Sequence, residues 1–360
     1  MAKKIRIKDI AKLANVSPGT VDRVLHKRGN VSPKSKHAVE SALEQLNYKT
    51  NIHLSAISLK KKYKITIVIP SFNSGEYWED AYRGIQQAIK EYEVIDVDTN
   101  FIFYDQFDYK TFTSIYIQIE KENPNAVIIG PTFINETITL TQWLEERKIP
   151  YAFVDSFIEG TTPLTSYLAN QYKCGYLVGR LIDAICPPSS EIVLFQIAKS
   201  HNYIGNSTIL RKNGFVAYFN DKRNRNIVHT ELLSPLNDAE ANKTIVQFFE
   251  KHPNVKGCVM LSSRGHMVAN YIEKTKRDDL KLVCVDLTSL NRKALLNGDI
   301  KFVVGQRPRM QGFMVYKSII LHLVYGHTNN PINFLSLDII TPENIEVHDN
   351  NSYLASDFQS

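Results

Sequence analysis

The stretch "DIAKLANVSPGTVDRVLHKRGNVSP", which runs from Asp9 to Pro33, contains the dipeptide Ser-Pro twice. Serine is favoured at the position that caps a helix, because its side chain accepts a hydrogen bond from an unpaired backbone N–H group. Proline is favoured at the first helical residue, where its missing N–H group would have had no partner. The stretch therefore predicts two helix starts, one capped by Ser17 and the other by Ser32.

The spacing of apolar residues predicts three short helices in this part of the chain, the first over residues 8–14. Apolar residues recur there at intervals of three and four, as they do on one face of an amphipathic helix. The same pattern follows each Ser-Pro step. The apolar positions are Ile7, Ile10, Ala11 and Ala14 with Leu13 alongside, then Val21, Val24 and Leu25, then Val39, Ala42, Leu43 and Leu46. With breaks at Asn15-Val16 and Gly29-Asn30, the sequence indicates a compact trihelical unit.

Burial of the apolar side of the second helix leaves its other side exposed. The exposed residues would be Pro18, Gly19, Asp22, Arg23 and His26. A recognition helix contacts base edges in the major groove with its N-terminal residues and with exposed arginine or polar side chains. The segment therefore favours a helix-turn-helix that binds DNA. The alternative is a solvated face on a small helical domain.

Positive charge is concentrated in the same part of the chain. Residues 1–64 hold 15 Lys and Arg against 4 Asp and Glu, and the remainder holds 28 against 33, within a total net charge of +6. This division indicates a basic nucleic-acid-binding arm on a mildly acidic body. Basic tails also bind membranes, so the charge alone leaves that alternative open.

The length of 360 residues predicts two or three domains, and a hydrophobic content of 43% is typical of globular proteins. The sequence has neither the roughly 18–20 uninterrupted apolar residues that span a bilayer nor the apolar segment of a secretory signal. We therefore expect a cytoplasmic protein without a membrane partner. The four cysteines and ten histidines fit none of the common metal-binding spacings. The sequence thus predicts reduced, mostly buried thiols and no metal or cofactor.

Beyond Lys64 the chain contains short, β-branched apolar runs separated by amphipathic helices, the first of them over about residues 79–92. The runs are KITIVIP, NAVIIGP, PYAFVDS, EIVLFQI, KGCVMLS, KLVCVDL and DIKFVVGQ. Such alternation predicts doubly wound parallel sheets with right-handed crossovers. Ligands bind these sheets at the carboxyl ends of the strands. The polar residues directly after the runs are therefore candidates for ligand binding: Ser71, Thr132, Asp155, Ser263, Asp286 and Gln306.

Residues 7–51 carry the skeleton D-I-A-x-x-A-x-V-S, T-V-x-R-V-L, N-V-S and A-x-x-x-L-N-Y-x-x-N. With this skeleton the segment resembles the DNA-binding headpiece of the lactose/galactose repressor family of bacterial transcription factors. The resemblance implies that Pro18 and Gly19 face bases in the major groove and that Arg23 reads a guanine. It also implies DNA contacts for Ser17, Thr20, Asp22, Asn30, Ser32, Ser35 and Tyr48.

The same family has a hinge helix after the headpiece, which folds on the operator and pushes an apolar side chain into a minor-groove step. By the resemblance this hinge occupies residues 49–62, with Asn51 at its start and Ile57 as the wedge. Because Pro18-Gly19 offers almost no side-chain hydrogen bonding, base discrimination should depend on Arg23, Asp22 and DNA shape.

The rest of the chain resembles the periplasmic-binding-protein-like core of that family and the ribose/galactose type of sugar-binding protein. The resemblance rests on Q-x-P-x-x-Q-G from Gln306, on "NQYKCGYLVG" from Asn170 and on R-x-x-G-F from Arg211. It implies two α/β lobes, each with a doubly wound parallel sheet. The predicted parts are an all-α helix-turn-helix headpiece (1–48), the hinge (49–62), a first lobe (about 63–172 and 306–330), a second lobe (about 173–305 and 331–345) and a tail (346–360).

In such a core the two lobes enclose a ligand between their strand ends. The resemblance assigns Ser71, Asn73, Tyr77, Trp78 and Asp155 to the first lobe's side of the site, Arg211, Ser263 and Asp286 to the second lobe's side, and Gln306 to a place beside the crossover strands. Carboxylates and an arginine can hold vicinal hydroxyls through charge-assisted hydrogen bonds, and aromatic rings can stack on a sugar. Three alternatives stay open: Asp286 as a helix cap, Arg211 as an interlobe salt bridge and Trp78 as core.

Together these features predict a transcriptional repressor that binds a near-palindromic double-stranded operator as a homodimer and is controlled by a small effector. A monosaccharide or sugar derivative is the leading effector, and a phosphosugar, polyol or nucleobase is the alternative. The core alone would also fit a transport-type sugar-binding protein or an enzyme on the same scaffold. The headpiece disfavours the first, and the lack of a recognisable nucleophile motif or phosphate loop disfavours the second.

Overall fold

A computed structural model describes residues 7–25, 31–46, 61–197, 206–221, 227–234 and 237–351. Four of the DNA-binding candidates, Asn30, Tyr48, Asn51 and Ile57, lie outside these ranges, as does most of the predicted hinge.

The N-terminal segment forms three helices, α1 (Ile7–Leu13), α2 (Pro18–Leu25) and α3 (Pro33–Gln45), which confirms the trihelical prediction. Their common core contains Ile10, Ala11, Ala14, Val21, Val39 and Ala42. Leu13 is 47% exposed. At 3.6 residues per turn, Leu13 lies roughly 100° around the helix from the buried stripe of α1.

Both predicted helix caps are present. The Ser17 hydroxyl accepts a hydrogen bond from the backbone N–H of Thr20 at 3.1 Å, and the Ser32 hydroxyl accepts one from the N–H of Ser35 at 3.2 Å. The predicted break between α1 and α2 is also present, at Asn15 with φ of 51°. Asparagine adopts this left-handed conformation more readily than most residues.

The rest of the described chain forms two α/β lobes. The first lobe contains β1 (Tyr63–Pro70), α4 (Tyr77–Glu91), β2 (Val97–Tyr104), α5 (Tyr109–Thr113), α6 (Ile115–Glu122), β3 (Ala126–Ile129), α7 (Ile134–Glu146), β4 (Tyr151–Asp155) and β5 (Thr165–Ala169). The second lobe contains α8 (Gln171–Ile185), β6 (Glu191–Ile197), α9 (Asn206–Asp221), β7 (Ile227–Leu233), α10 (Asp238–Lys251), β8 (Val255–Met260), α11 (His266–Thr275), β9 (Lys281–Val285), α12 (Ser289–Leu296) and β10 (Phe302–Gly305). The chain then adds α13 (Pro308–Tyr325) and β11 (Asn333–Leu335) to the first lobe, and β12 (Asp338–Ile340) and α14 (Ile345–Asn351) to the second.

The two sheets have the same topology. The strand order is β11-β5-β4-β3-β1-β2 in the first lobe and β12-β10-β9-β8-β6-β7 in the second. Every pairing is parallel except that of β10 with β12. The central strands read as continuous apolar runs because both of their faces are covered. In β1, for example, Ile65, Ile67 and Ile69 pack into one hydrophobic cluster and Val68 packs into another. The predicted fold class is confirmed.

The C-terminal boundaries differ from those expected. Residues 333–335 pair with β5 of the first sheet, so the last crossing between lobes falls between β11 and β12 and not at residue 330. The cause is that β11 has only three residues and a half-exposed pattern, which carries no apolar signal. The expected tail begins within α14, where Ile345 is buried in the second lobe.

Close helix crossings at glycine build both lobes in the same way. In the first lobe α4 crosses α13, and an added Cβ at Gly84 would overlap the carbonyl oxygen of Arg309, while one at Gly312 would overlap that of Ala81. In the second lobe α8 crosses α9 with the same reciprocal arrangement, at Gly175 and Gly214. The glycines of the Q-x-P-x-x-Q-G and R-x-x-G-F motifs are therefore required by backbone contact between helices.

All four cysteines are buried and free, as the sequence predicted. Among the described residues, no helix combines the length and the apolar character that crossing a bilayer requires.

We predict that Gly84→Ala lowers the free energy of unfolding of the full chain by about 1–3 kcal/mol, because α4 and α13 must move apart to accommodate the methyl group. This loss would exceed the roughly 1 kcal/mol that alanine gains over glycine in an ordinary helix. Urea unfolding measures the change. The neighbouring variant Arg83→Ala is the control, since it removes only an exposed ion pair with Glu79 and should cost less than about 0.5 kcal/mol. Unchanged stability in Gly84→Ala would contradict the close crossing.

Candidate functional site

A cleft of about 440 Å³ lies between the carboxyl ends of the two sheets. Its walls come from the segments that follow β1, β2, β3 and β4 in the first lobe and β6, β7, β8 and β9 in the second. Of the predicted ligand-binding residues, the structure brings the following to this cleft: Asn73, Tyr77, Trp78, Thr132, Asp155, Arg211, Ser263 and Asp286. Polar residues that follow different strands thus line one continuous cavity.

Two predicted residues, Ser71 and Gln306, do not line the cleft. Ser71 is exposed, and its backbone N–H donates to the carbonyl of Tyr104 at 2.8 Å, at the end of the neighbouring strand β2. Gln306 is 1% exposed and lies behind the cleft wall. The structure therefore does not support a direct ligand contact for either residue in this cleft. Gln306 affects the cleft through its hydrogen bonds to Arg211 and Asp286.

Asp155 and Asp286 occupy equivalent positions in the two lobes. Asp155 ends β4 and Asp286 follows β9, and each of these strands is the fourth from the edge formed by β2 or β7. Both residues have a left-handed backbone, with φ of 76° and 70°. Such a conformation costs about 1 kcal/mol or more for a residue other than glycine. Its recurrence at both carboxylates that face the cleft indicates that the fold holds them there.

A buried hydrogen-bond network fixes the second-lobe side of the cleft. Arg211 donates from Nε to Gln171 Oε1 at 2.7 Å, from Nη2 to Gln306 Oε1 at 3.1 Å and from Nη1 to the carbonyl of Leu261 at 2.8 Å. Gln306 Nε2 in turn donates to Asp286 Oδ1 at 2.5 Å. All of these acceptors of Arg211 are neutral. The network therefore links α9 to the first two of the three segments that cross between the lobes, and Arg211 is not an interlobe salt bridge.

Contacts to Asp155 cross from one lobe to the other. The Tyr77 hydroxyl donates a hydrogen bond to Asp155 Oδ1 at 2.5 Å, and the Ser156 hydroxyl donates one to Asp155 Oδ2 at 3.2 Å. The Ser156 hydroxyl lies 2.6 Å from that of Ser207, which belongs to α9 of the second lobe. A second interlobe contact is the hydrogen bond from the N–H of Ser289 to the carbonyl of Gly75 at 3.0 Å. Closure of the lobes is thus coupled directly to the carboxylate that faces the ligand space.

Trp78 and Asp286 resolve two of the alternatives left open by the sequence. Trp78 is 5% exposed and belongs to the first-lobe hydrophobic cluster, with its ring packed against Gly130, so only its edge reaches the cleft. Asp286 does not cap α12, because Thr288 accepts the hydrogen bond from the N–H of Asn291 at the start of that helix.

Several cleft residues were not anticipated. They are Ser74, Gly75, Glu76, Gln106, Phe107, Ile197, Ser207, Thr208, Asp238, Ser262, Arg264, His266, Thr288, Ser289 and Leu290. Glu76, Asp238 and Arg264 add charge to the rim, where Arg264 Nη1 lies 3.5 Å from Asp238 Oδ1. Most of these residues lie on loops or first helical turns, too far from an apolar run for a rule that considers only the next residue. Ile197 and Ser262 instead end the runs EIVLFQI and KGCVMLS, and the rule did not consider residues within a run.

Burial sets the electrostatics of the cleft. It raises the pKa of Asp286 to about 6, although Arg211 and the hydrogen bond from Gln306 act in the opposite direction. Burial also raises the pKa of Tyr77, and the charges of Asp155 and Asp286 add to this effect. Tyr77 is therefore a neutral hydroxyl donor at physiological pH, whereas Asp286 is an acceptor whose charge costs folding free energy.

The headpiece presents the predicted recognition face to solvent. Pro18, Gly19 and Arg23 are exposed, and Asp22 is partly exposed, whereas Val21 is fully buried. The Ser17 and Thr20 hydroxyls lie 2.9 Å apart at the start of α2, and those of Ser32 and Ser35 lie 2.9 Å apart at the start of α3. These hydroxyls mark two exposed helix N-termini, which favour phosphate oxygens.

Comparison with known proteins supports both parts of this description. Residues 6–51 match the lacI family of bacterial regulatory proteins, and residues 65–327 match the periplasmic binding protein domain. The chain belongs to the proteins that carry the periplasmic binding protein domain, and a lacI-family helix-turn-helix domain precedes that domain. It is similar to a solved structure described as "putative LacI transcriptional regulator" from Bacteroides fragilis, with 29% identity and a TM-score of 0.76 over 80% of this chain and 99% of that one.

Two curated relatives are transcriptional repressors by name. The chain is 27% identical to the "Ribose operon repressor" of Halalkalibacterium halodurans over 78% of its length and 80% of the relative. It is also 27% identical to the "Probable HTH-type transcriptional repressor ExuR" of Bacillus subtilis, over 46% of its length. The chain thus spans about half, 47%, of the length of that second relative.

We predict that Asp286→Asn makes the ligand-free protein more stable at pH 7.5. The folded pKa of Asp286, about 6, lies above the ordinary aspartate value of 3.8, so its ionisation destabilises the native state as the pH rises from about 4 to 6. The amide removes that charge and can still accept the hydrogen bond from Gln306. Thermal unfolding at pH 7.5 and pH 4 should show a gain at the higher pH only. The exposed variant Asp278→Asn should show neither change, and an equal gain at both pH values would contradict the assigned cause.

Proposed function

We propose that this lacI-family protein is a DNA-binding transcriptional repressor whose affinity for its operator is controlled by a small carbohydrate in the interlobe cleft. The observation that carries the proposal is the presence, in one chain, of an exposed recognition helix and a cleft lined by paired carboxylates. A ribose operon repressor and a probable transcriptional repressor are among its relatives.

The chemistry of the cleft favours a neutral, hydroxyl-rich effector. Asp155 and Asp286 approach it from opposite lobes, and ionised carboxylates accept strong hydrogen bonds from hydroxyl groups. Glu76 and Asp238 add negative charge at the rim, while Arg211 is largely occupied by protein acceptors. A strongly anionic effector would have to find its positive partner in Arg264, so a sugar or polyol is favoured over a phosphosugar.

Effector control would arise from the different shapes of the cleft in the open and closed states. Asp155, Ser156 and Ser207 connect the lobes at the point where the effector would bind. A ligand that contacts both carboxylates binds the closed state more tightly and shifts the population towards it. In a homodimer such a shift would change the spacing of two headpieces, which must match the two half-sites of a near-palindromic operator.

The two other functions considered from the sequence are less well supported. A transport-type sugar-binding protein has no use for the headpiece, whose three helices retain an exposed DNA-facing side. An enzyme would need a reactive group at the cleft. Two of the cleft hydroxyls, those of Tyr77 and Ser207, instead bond to Asp155 and to the Ser156 hydroxyl.

We predict that a monosaccharide or polyol stabilises the full chain in a thermal-shift screen. The panel should contain pentoses, hexoses, uronic acids, polyols, sugar phosphates and nucleobases. A ligand at about 100 times its Kd adds about 2.7 kcal/mol of stability and raises Tm. The shift should disappear in Asp286→Ala and Arg211→Ala and persist in the exposed variant Glu93→Ala. A hit that survives both cleft variants would place the ligand elsewhere, and the absence of any hit from sugars and polyols would refute a carbohydrate effector.

We predict that Arg23→Ala weakens binding to the specific operator by roughly 1–3 kcal/mol, the value of a side chain that reads a base edge. Binding to random DNA should weaken much less, so the ratio of the two affinities falls. Fluorescence anisotropy at a fixed salt concentration measures both affinities. Lys36→Ala, on the exposed side of α3, is the control and should leave the ratio unchanged. Equal losses on both DNAs would show that Arg23 contacts only phosphate.

A further inference from the structure

Glu191, His229 and His252 form a cluster of potential metal ligands in the second lobe. Each offers one donor atom, and the three donors lie within 4.8 Å of one another. His229 Nε2 is 3.0 Å from Glu191 Oε2, and the ring centroids of His229 and His252 are 4.4 Å apart. Glu191 lies in β6, His229 lies in β7, and His252 directly follows α10.

The backbone holds the three side chains on one side of the sheet. Glu191 is paired with Ile227 in the parallel register of β6 and β7, and His229, two residues further on, shares the face of Ile227. The His252 ring stacks on Phe248 with centroids 4.6 Å apart and an interplanar angle of 27°. Its backbone N–H donates to the carbonyl of Phe248 at 2.9 Å. The cluster is thus largely organised before any ion binds.

The cluster is separate from the effector cleft and is open to solvent. Glu191 begins β6, whose opposite end, at Ile197, lines the cleft. The side chains of His229 and Glu191 are 24% and 25% exposed. An ion could therefore reach the donors without unfolding the lobe.

We propose that Glu191, His229 and His252 bind a transition-metal ion such as Zn²⁺. Two imidazole nitrogens and one carboxylate oxygen are ligands that Zn²⁺ prefers, at bond lengths of about 2.0–2.2 Å, and water would complete a four-coordinate site. Donors around such an ion lie roughly 3.4 Å apart. The His229–Glu191 pair, now at 3.0 Å, therefore has to widen slightly, and a donor at the 4.8 Å limit has to move inward. The ion would take the place of the hydrogen bond between His229 and Glu191.

A bound ion would connect β6, the edge strand β7 and the end of α10. The edge strand pairs with β6 alone and exposes apolar residues such as Ile227 and Leu232. The consequence is that zinc should stabilise the outer part of the second lobe without occupying the effector cleft.

The test is titration of the metal-free full chain with zinc chloride, followed by Tm, and with cobalt chloride, followed by visible absorption. The wild type should gain Tm with zinc and should show the absorption bands of a four-coordinate cobalt ion. His229→Ala and His252→Ala should each reduce zinc affinity at least about tenfold, since even mutation of groups that only support metal ligands costs 10–100-fold. Glu191→Gln should reduce it as well. Magnesium should have no effect, because it favours oxygen ligands in octahedral geometry.

The exposed variant His327→Ala is the matched control and should bind zinc and cobalt as the wild type does. The cobalt spectrum is recorded on native protein at low temperature, so a variant of reduced stability remains informative. The proposal is overturned if the wild type binds neither ion, or if both histidine variants retain wild-type affinity and spectrum.

Discussion

The buried guanidinium of Arg211 is the group on which the geometry of the cleft depends. It is 5% exposed, and a charge removed from water must be compensated by hydrogen bonds. The compensation comes from Gln171 at the first crossover between lobes, from Gln306 at the second, and from the carbonyl of Leu261 after β8. One side chain thus bonds to two of the segments that cross between the lobes and to the end of β8, and Asp286 is positioned through the same network.

Internal symmetry explains why the two halves of the site match. The sheets have the same strand order, their fourth strands end at Asp155 and Asp286, and both aspartates have a left-handed backbone. Each lobe also has a helix pair that crosses at reciprocal glycines. Because the helices approach at backbone contact, small rotations within a lobe are costly. Movement is therefore expected to take place between the lobes, at the crossovers and at the contact of Ser156 with Ser207.

Much of the fold could be predicted from local patterns. All seven apolar runs form strands, and the helix expected over about residues 79–92 is α4, Tyr77–Glu91. The strands β2 and β7 were missed because they are edge strands with half-exposed sequences, in which residues such as Phe103 and Ile227 face solvent. β5, with the sequence TSYLA, is fully buried but contains too few β-branched apolar residues to be distinguished from a loop.

The sequence by itself determined the helix caps of the headpiece, the α/β class and the carboxylates at the strand ends, because each depends on residues that are close along the chain. Only the tertiary structure decided which side chains meet. It brought Gln171 and Gln306 to Arg211, buried Trp78 except for its edge, left Ser71 outside the cleft, and gathered Glu191, His229 and His252 on one face. The physical reason is that parallel strands joined by helical crossovers align residues far apart in the chain, and the register that aligns them is set by packing of the whole lobe.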